Sequence, residues 1–315
     1  MSKSFIHTEK IIRKAKELGF DDIGFSKATY LEKEAKDLEK WLAQGFHGSM
    51  KYMENYFDKR LDPRLLVEGA KTVISLSHNY FSDKTQVDNE APKIAKYAYG
   101  KDYHLVLKEK LNVLIDFMKD EIGDIQARAF TDSAPIMERA WAERSGIAWI
   151  GKNTLALTKS KGSFYFLAEI ICDVEFVYDN PVKNYCGTCT KCIDSCPTQA
   201  LYDAKKIDAS KCISYLTIEL KDELLPNEFK NKMNNWMYGC DICQDVCPIN
   251  ARTKPNTEIE FQPKNEILNF TKKDWEELNK ETFDVIFKNS AVKRTKFSGL
   301  QRNISFIKNN NYENS

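Results

Sequence analysis

Eight of the nine cysteines in this 315-residue chain fall between residues 186 and 247. The first block, CGTCTKCIDSCP at 186–197, has the spacing C-x2-C-x2-C-x3-C-P, and the second, CDICQDVCP at 240–248, has the spacing C-x2-C-x3-C-P. The N-terminus lacks the apolar stretch that a secretory signal needs, so we expect these thiols to lie in a reducing cytosol. There, dense cysteines indicate metal ligands or catalytic thiols rather than disulfides.

The first block has a spacing found in bacterial ferredoxins, where three close thiolates bind one [4Fe–4S] cluster and the fourth crosses to a second cluster. The second block is one cysteine short of that pattern, and Cys212 is the other cysteine nearby. Two such clusters need eight thiolates, so the count closes. The crossover pattern assigns the ligands to cluster one as Cys186, Cys189, Cys192 and Cys247, and to cluster two as Cys196, Cys212, Cys240 and Cys243. Pro197 and Pro248 would turn the chain away after each crossing ligand.

Structural zinc is the alternative, because paired C-x2-C motifs also build zinc ribbons and knuckles. Zinc sites usually show two pairs in separate knuckles, without a crossing cysteine followed by proline in both blocks. The spacing therefore favours two [4Fe–4S] clusters. Clusters bound in this way usually lie close enough to pass single electrons, which predicts a role in electron delivery.

Periodicity indicates the elements that precede the cysteines. Helical spacing of apolar residues predicts helices over 8–19, 31–44 and 105–119, and β-branched and aromatic runs predict strands over 72–80 and 164–176. Cys172 lies alone in the second of these runs, and we expect it to be a small buried side chain in a strand.

Changes in composition divide the chain into three parts. A turn-rich link begins at 177, and polar, helical sequence follows TKPNT at 253–257. We therefore predict an α+β fold class. It comprises an N-terminal α/β domain with a mixed sheet at 1–176, a ferredoxin-like double [4Fe–4S] domain at 177–253 and a short helical, basic C-terminal segment at 254–315.

Charge excludes some classes of partner. The 47 Lys and Arg nearly balance 46 Asp and Glu, so the overall charge does not mark a nucleic-acid coat protein or a membrane-surface protein. No apolar run approaches about 18 residues, so we expect no membrane span and a cytoplasmic location. Residues 287–315 hold six basic residues against one acidic residue, which a solvated helix face explains as well as an acidic partner does.

Several long, dissimilar segments follow one another in a recognisable order. They are RLDPRLLVEGAKTVISLSHNY (60–80), YAYGKDYH (97–104), FTDSAPIMERAWAERSGIAWIGKNTL (130–155), KGSFYFLAEI (161–170), CISYLTIE (212–219), GCDICQDVCPIN (239–250) and SAVKRTKFSGLQRNI (290–304). In these segments the chain resembles the epoxyqueuosine reductases, a cobalamin-dependent family that ends queuosine synthesis in tRNA. The likeness is to a short form, because longer members continue into a C-terminal HEAT-like helical domain. Ala134 departs from the family's acid motif, which usually has Gly at that place.

The resemblance implies an activity and its cofactors. The family opens an epoxide on the cyclopentane ring of the modified base in the anticodon loop and leaves an alkene, with two electrons, two protons and loss of water. It implies cobalamin in the 1–176 domain, two [4Fe–4S] clusters, tRNA as substrate, and an external electron donor of flavodoxin or ferredoxin type. No D-x-H-x-x-G stretch occurs, so we expect base-off cobalamin without a protein histidine on cobalt.

Asp132 matches the family's proposed general acid, which would protonate the oxygen as the C–O bond breaks. An aspartate is ordinarily ionised at neutral pH, so this role requires burial against the corrin and against apolar neighbours such as Phe130 and Ile136. The alternative is that Asp132 caps a helix starting near Pro135.

Other site residues follow from the resemblance. His104 in KDYH would donate to substrate or lie near the cobalt face, although a structural role explains it equally well. The segments that resemble loops closing around the cofactor supply the remaining predicted contacts: Lys152, Asn153, Thr154, Gly162, Ser163 and Ile213.

For tRNA, the resemblance implies a base splayed from its stack, with basic side chains near its phosphates. Tyr215, Arg294 and Arg302 are the predicted contacts, and a solvated basic helix explains the two arginines about as well.

Two alternatives to this function remain at this point. One is an enzyme like the reductive dehalogenases, which usually carry a twin-arginine export signal that this N-terminus lacks. The other is an iron–sulfur electron-transfer adaptor without chemistry of its own.

Overall fold

The computed structural model describes residues 2–310 of the chain. Its helices and strands, in chain order, are α1 Lys3–Glu17, β1 Asp22–Lys27, α2 Glu32–Ala43, α3 Phe57–Leu61, β2 Thr72–Asn79, β3 Lys93–Ile94, α4 Tyr103–Ile122, β4 Ala127–Phe130, α5 Glu138–Arg144, β5 Trp149–Ile150, β6 Ala156–Leu157, β7 Tyr165–Cys172, α6 Lys191–Asp194, β8 Leu201–Asp203, β9 Lys206–Ile207, α7 Ile213–Ile218, β10 Trp236–Tyr238, α8 Ile242–Asp245, α9 Asn265–Asn269, α10 Lys272–Glu276, α11 Lys280–Ile286 and α12 Lys296–Asn310. Short 3₁₀ segments lie at Lys51–Met53, Pro63–Leu65, Lys96–Ala98, Ala209–Lys211, Asn227–Phe229, Asn250–Arg252, Ile259–Phe261 and Ala291–Thr295.

The N-terminal region is built on a four-stranded sheet with the strand order β1-β2-β7-β4. Its three pairings are all antiparallel. Lys27 at the end of β1 pairs with Thr72 at the start of β2, so the helical connection re-enters the sheet at the end it left. The α+β class is confirmed. The sheet, however, is antiparallel rather than mixed, because the pattern of a strand does not specify the direction in which it runs.

Alternate residues of the two central strands face two different helical layers, as the period of two in a strand requires. Ile74 and Ile170 belong to the apolar cluster formed with α1 and α4. Val73 and Ile171 belong to the cluster that contains Trp141 of α5. Both faces of the sheet are therefore covered, and α5 lies on the second face.

The predicted helices and strands are present, with bounds that local chemistry explains. Helix α1 begins earlier than predicted because the Ser2 side chain accepts the N–H of Phe5, and α4 begins where Asp102 accepts the N–H of His104. Cys172 is fully buried at the end of β7 as expected, and burial raises the pKa of its thiol to about 12.

One apolar cluster joins parts of the chain that the predicted domain boundaries separate. It contains Ala95 from the N-terminal region, Met237 from the cysteine region, and Trp275 and Leu300 from the C-terminal helices. Strand β3 also pairs with β10 in parallel. The boundaries at 176 and 253 stay predictions, and the packing crosses both. Residues 311–315 of the predicted C-terminal segment lie outside the described residues.

Within residues 2–310, no helix combines the length and the apolar character that crossing a membrane requires.

Candidate active site and metal centres

A cavity of about 950 Å³ lies between the N-terminal sheet and the cysteine region. Tyr103 and Asp132 line it on the side of the sheet, and Tyr215 and Cys212 line it on the opposite side. Ligand pockets in proteins usually measure roughly 300–1,000 Å³. This volume is therefore suited to a large cofactor or substrate.

The fold sorts the eight clustered cysteines into two sets. The set that lines the large cavity is Cys196, Cys212, Cys240 and Cys243. The set that lines a second cavity of about 50 Å³ is Cys186, Cys189, Cys192 and Cys247. These are the sets that the crossover spacing predicts, with Cys196 and Cys247 each joining the block that does not contain it.

The chemistry of the two thiol sets is suited to binding iron–sulfur clusters. Burial raises the pKa of the Cys212, Cys240 and Cys243 thiols, and neighbouring cysteines raise it further. In the other set, burial and the nearby Cys247 raise the pKa of the Cys192 thiol. Thiols in such a place ionise together only when a metal compensates their charge, and iron in a [4Fe–4S] cluster is bound by four thiolates.

Asp132 lies on the loop between β4 and α5, and its side chain is 63% exposed at the wall of the large cavity. Its Oδ2 accepts a hydrogen bond from Tyr103 Oη at 2.5 Å, and its main-chain N–H donates to Glu138 Oε1 at 2.5 Å. Helix α5 begins at Glu138, and its N-cap residue is Met137. Asp132 is therefore not the cap of this helix, and the alternative role is wrong.

The structure does not bury the Asp132 side chain among apolar residues, although this was expected. Phe130 and Ile136 are buried, but they pack in the core with Trp141. They leave the carboxylate open to the cavity. Any further burial of Asp132 would have to come from a molecule bound there.

His104 lies between two carboxylates. Its Nδ1 is 2.7 Å from Asp102 Oδ1, and its Nε2 is 3.8 Å from Asp132 Oδ2. Burial opposes ionisation of Asp102, but hydrogen bonds from the His104 ring and N–H hold the pKa of this carboxyl below its ordinary value. Asp102 thus fixes the orientation of the imidazole, and the other ring nitrogen is directed toward Asp132.

The predicted cofactor loops divide between the two cavities. The residues that line the large cavity are Asn153, Thr154, Ser163 and Ile213, with His104 and Asp132. Lys152 lines the small cysteine cavity instead. Gly162 packs against Asn250, whose Oδ1 would clash with a Cβ at that position. Close packing therefore requires glycine at this position. The backbone φ of +65° also favours glycine, because it lies in the left-handed region.

Two of the three predicted tRNA contacts line the large cavity, namely Tyr215 and Arg294. Tyr215 is buried, and its hydroxyl accepts the N–H of Ser49 at 2.8 Å. Arg294 forms a bidentate ion pair with Glu219, in which Nε donates to Oε1 at 2.7 Å and Nη2 donates to Oε2 at 3.0 Å. The Arg294 side chain is 52% exposed. Hydrogen bonds to Glu219 raise the pKa of Arg294.

Arg302 uses all its donors within the protein. Nη1 donates to the carbonyls of Leu220 and Asp222, and Nη2 donates to the carbonyl of Leu216. Nε and Nη2 also donate to Asn303 Oδ1. An arginine has five N–H donors, so none is left for a phosphate. Arg302 stabilises the chain around the end of α7 through these hydrogen bonds. Its predicted role as a tRNA contact is therefore replaced by a structural role.

Sequence reasoning missed two residues that hold Asp132, namely Tyr103 and Glu138. Both lie in segments that carry the resemblance. The adjacency of Tyr103 to His104 is a weak signal, and the contact of Glu138 with a main-chain N–H leaves no signal in a single sequence.

Family profiles match two parts of the chain. Residues 185–250 match a "4Fe-4S double cluster binding domain", and residues 60–133 match "Epoxyqueuosine reductase QueG, DUF1730". The first match supports iron–sulfur clusters over zinc.

Relatives and solved structures agree. The epoxyqueuosine reductase of Cyclobacterium marinum is 56% identical over 96% of this chain and 97% of its own length, and that of Cellulophaga algicola is 55% identical over 96% and 98%. A crystal structure of epoxyqueuosine reductase with a tRNA-Tyr epoxyqueuosine-modified stem loop matches at a TM-score of 0.88 and 33% identity, over 95% of this chain and 80% of that one. The Bacillus subtilis enzyme, solved with its catalytic loop swung out of the active site, matches at 0.87 and 33%, over the same shares. With identities of this size over nearly its whole length, the chain belongs to the epoxyqueuosine reductase family.

Proposed function

We propose that this chain reduces epoxyqueuosine to queuosine in the anticodon loop of tRNA, in the cytoplasm, with cobalamin and two [4Fe–4S] clusters as cofactors. The name shared by relatives at 55–56% identity supports the activity. The tRNA stem loop bound to a solved relative supports the substrate. One observation carries the proposal: Asp132 and a complete set of four cysteines line the same cavity.

The reaction sets the requirements for the site. Epoxide opening to an alkene takes up two electrons and two protons and releases one water. When bound, the clusters and cobalamin supply the single electrons and the strongly reducing cobalt chemistry, which the protein's own side chains lack. The chain itself must hold the substrate, provide a proton at the breaking C–O bond and keep bulk water away.

Asp132 is the group that would provide the proton. Its carboxyl group is exposed to the cavity, while its oxygen Oδ2 is held by Tyr103 Oη at 2.5 Å. His104 Nε2 lies 3.8 Å from the same oxygen. Occupants of the cavity would cover the carboxyl and favour its neutral form, because burial disfavours charge.

Residues around the cavity would hold the cofactor and the base. Asn153, Thr154, Ser163 and Ile213 line the same cavity as the cysteine set Cys196, Cys212, Cys240 and Cys243. Ser163 is fixed there, because its Oγ donates to Gln244 Oε1 at 2.9 Å. The ring of Tyr215 and the guanidinium of Arg294 offer flat faces for an unstacked base, although both are already hydrogen-bonded within the protein.

An external electron donor of flavodoxin or ferredoxin type would approach the small cysteine cavity. Lys152, Lys191 and Tyr185 line that cavity, and Lys159 Nζ lies 5.3 Å from the centre of the Tyr185 ring. The ion pairs found within residues 2–310 involve none of these three lysines. Positive charge around a half-exposed tyrosine would attract an acidic donor.

A spectroscopic titration combined with a turnover assay tests the proposal. Anaerobically purified protein is titrated with cob(II)alamin, then reduced and mixed with tRNA carrying epoxyqueuosine, and the nucleosides are quantified by mass spectrometry. We expect a shifted corrin spectrum and conversion to queuosine. Corrin binding without conversion would contradict the proposed substrate.

The same titration decides between an enzyme and an electron-transfer adaptor. An adaptor would carry both clusters but leave the spectrum of added cob(II)alamin unchanged. That outcome would contradict the proposed function at its first step.

A further inference from the structure

A buried aspartate lies inside the second cysteine block. Asp241 directly follows Cys240 and precedes Cys243 by two residues, and all three line the large cavity. The Asp241 side chain is only 1% exposed. A carboxylate is unfavourable at such a depth unless hydrogen bonds and a positive charge compensate it. The structure supplies both.

Two hydrogen bonds fix the Asp241 carboxylate in place. Its Oδ2 accepts the main-chain N–H of Lys96 at 2.8 Å, and its Oδ1 accepts Gln244 Nε2 at 3.2 Å. Gln244 is held in turn by Ser163, whose Oγ donates to Gln244 Oε1 at 2.9 Å. Both oxygens of Asp241 are therefore engaged, and its negative charge is held within the loop that carries Cys240 and Cys243.

The compensating positive charge comes from the N-terminal region. Lys96 begins the 3₁₀ segment that follows β3, and its side chain is 16% exposed. Its Nζ lies 2.8 Å from Asp245 Oδ1 and 3.7 Å from Asp241 Oδ2. The same ammonium lies 5.3 Å from the centre of the Phe164 ring. Lys96 thus reaches across from one region of the chain to pair with acidic side chains of the cysteine block in the other.

We propose that the ion pair of Lys96 with Asp241 sets the reduction potential of the [4Fe–4S] cluster at the large cavity, here called the cavity cluster. The cysteines that would bind it are Cys196, Cys212, Cys240 and Cys243. The inference rests on the proposed cluster at these four thiols. The potential of an iron–sulfur cluster depends on the net charge around it, because each electron that arrives is itself a negative charge. Asp241 opposes that arrival, and Lys96 offsets the opposition.

Burial makes the charges of this pair effective. Electrostatic interactions are weak in water and much stronger in the protein interior. Asp241 and Cys240 are neighbours in sequence, so their Cα atoms are about 3.8 Å apart. Asp245, in contrast, is 45% exposed, so that water and salt screen its charge. The charges of Lys96 and Asp241 therefore dominate the protein's contribution from this loop.

The step affected is the arrival of one electron, supplied by the external donor, at the cavity cluster. Its cysteines line the cavity proposed to hold cobalamin, whereas the other four line the small cavity. An ammonium group beside the cavity cluster favours an electron on the side where reduction would take place. Lys96 is thus a positioning residue, since it acts through charge and needs no contact with substrate or cobalamin.

A potentiometric titration followed by electron paramagnetic resonance tests the inference. Anaerobically purified protein is reduced stepwise at pH 8, where Asp241 is ionised, because burial raises its pKa only to about 6. Signals of the cavity cluster are assigned by comparison with Cys247→Ala, which should lack the other cluster. Lys96→Met removes the ammonium but keeps the length of the side chain. We expect the electron affinity of the cavity cluster to fall about tenfold, which is about 59 mV for a one-electron couple.

The partner of the ion pair should act in the opposite direction. Asp241→Asn removes the negative charge, so we expect the potential of the cavity cluster to rise. Adding Lys96→Met to Asp241→Asn should lower the potential again, because the ammonium is then lost without any change in the protonation of residue 241. A lower potential in Asp241→Asn than in wild type would contradict the inference.

Two control variants separate charge from structure. Lys96→Arg keeps the positive charge, so its potential should stay near that of wild type. Lys93→Met removes an exposed ammonium of β3, which water screens, and should also leave the potential unchanged. An ion pair with only a structural role predicts a lower melting temperature for Lys96→Met but an unchanged potential. That result, with normal iron content, would overturn the inference.

This test and the test of the proposed function fail in different ways. Protein that contains zinc in place of iron would contradict the proposed clusters themselves. Full iron content and conversion of epoxyqueuosine, with a potential that does not respond to Lys96→Met, would contradict only the role of the ion pair.

Discussion

Tyr103 Oη donates a hydrogen bond of 2.5 Å to Asp132 Oδ2 across the wall of the large cavity. The Tyr103 ring is fixed behind this contact by a parallel stack on Phe166, with ring centres 4.2 Å apart. The carboxyl proposed to supply the proton is thus oriented by a rigid aromatic side chain as well as by its own main chain.

Tyr103→Phe should slow single-turnover reduction by about tenfold to a hundredfold, because Tyr103 would stabilise the carboxylate that Asp132 becomes as it gives up its proton. A hydrogen bond to a charged group contributes about 1.5–3 kcal/mol. The stack on Phe166 remains, so the melting temperature should change little. Tyr99→Phe is the control, since Tyr99 is a buried tyrosine outside the cavity wall. A rate equal to that of the control would show that the contact with Asp132 does not matter to turnover.

Cysteine substitutions should remove the clusters one at a time. The intact protein should contain about eight iron and eight sulfide per chain. Cys247→Ala, in the small cavity, and Cys212→Ala, in the large one, should each reduce the iron content to about half. The spectra of the two variants should differ, because different clusters remain. Full occupancy by zinc in a colourless protein would contradict the iron–sulfur assignment.

Charge reversal at the small cavity should affect a protein donor but not a small reductant. The double change Lys152→Glu with Lys191→Glu should slow reduction by an acidic flavodoxin-type donor about tenfold at low salt, within the range that electrostatic steering provides. Reduction by dithionite should stay the same. Lys119→Glu, at an exposed site on α4, is the control. Equal slowing with both reductants would place the defect in the cluster rather than in docking.

Two basic residues near the C-terminus should behave oppositely. Lys293→Ala, at the cavity wall, should weaken tRNA binding and reduce the slope of log affinity against log salt by about one. Arg302→Ala should instead lower stability, because it leaves three main-chain carbonyls without their donor. Loss of tRNA affinity by folded Arg302→Ala, with Lys293→Ala unaffected, would reverse this assignment. A truncation after residue 286 cannot make the distinction, since it removes core residues such as Leu300 and Ile304.

The parts of the site that the sequence predicts are those carried by local spacing. Cys196 and Cys247 lie in the cavity wall of the block that does not contain them, as expected from the crossing pattern, because ligand spacing is dictated by cluster geometry. Asp132 is predicted from a family motif of a few consecutive residues, and the structure places it in the wall of the large cavity.

The parts that the sequence does not predict depend on contacts between distant segments. Arg294 and Arg302 both lie in the basic C-terminal sequence. Arg294 lines the large cavity, whereas Arg302 donates hydrogen bonds to main-chain carbonyls of residues 216–222. Glu169 interrupts the apolar sequence of β7 with a charged residue type, yet the structure buries it fully between β2 and β4. Strand direction likewise depends on where the connections return.

The central claim is that Asp132 donates the proton, and Asp132→Asn tests it most directly, because Asn keeps the size of the side chain but has no acidic proton. Pre-reduced variant with both clusters and bound cobalamin is mixed with tRNA carrying epoxyqueuosine, and queuosine formation is followed over a single turnover. The account predicts normal cofactor content and a rate lower by roughly 10²–10⁴, the range that general acid catalysis contributes. A rate within a few-fold of wild type would contradict it.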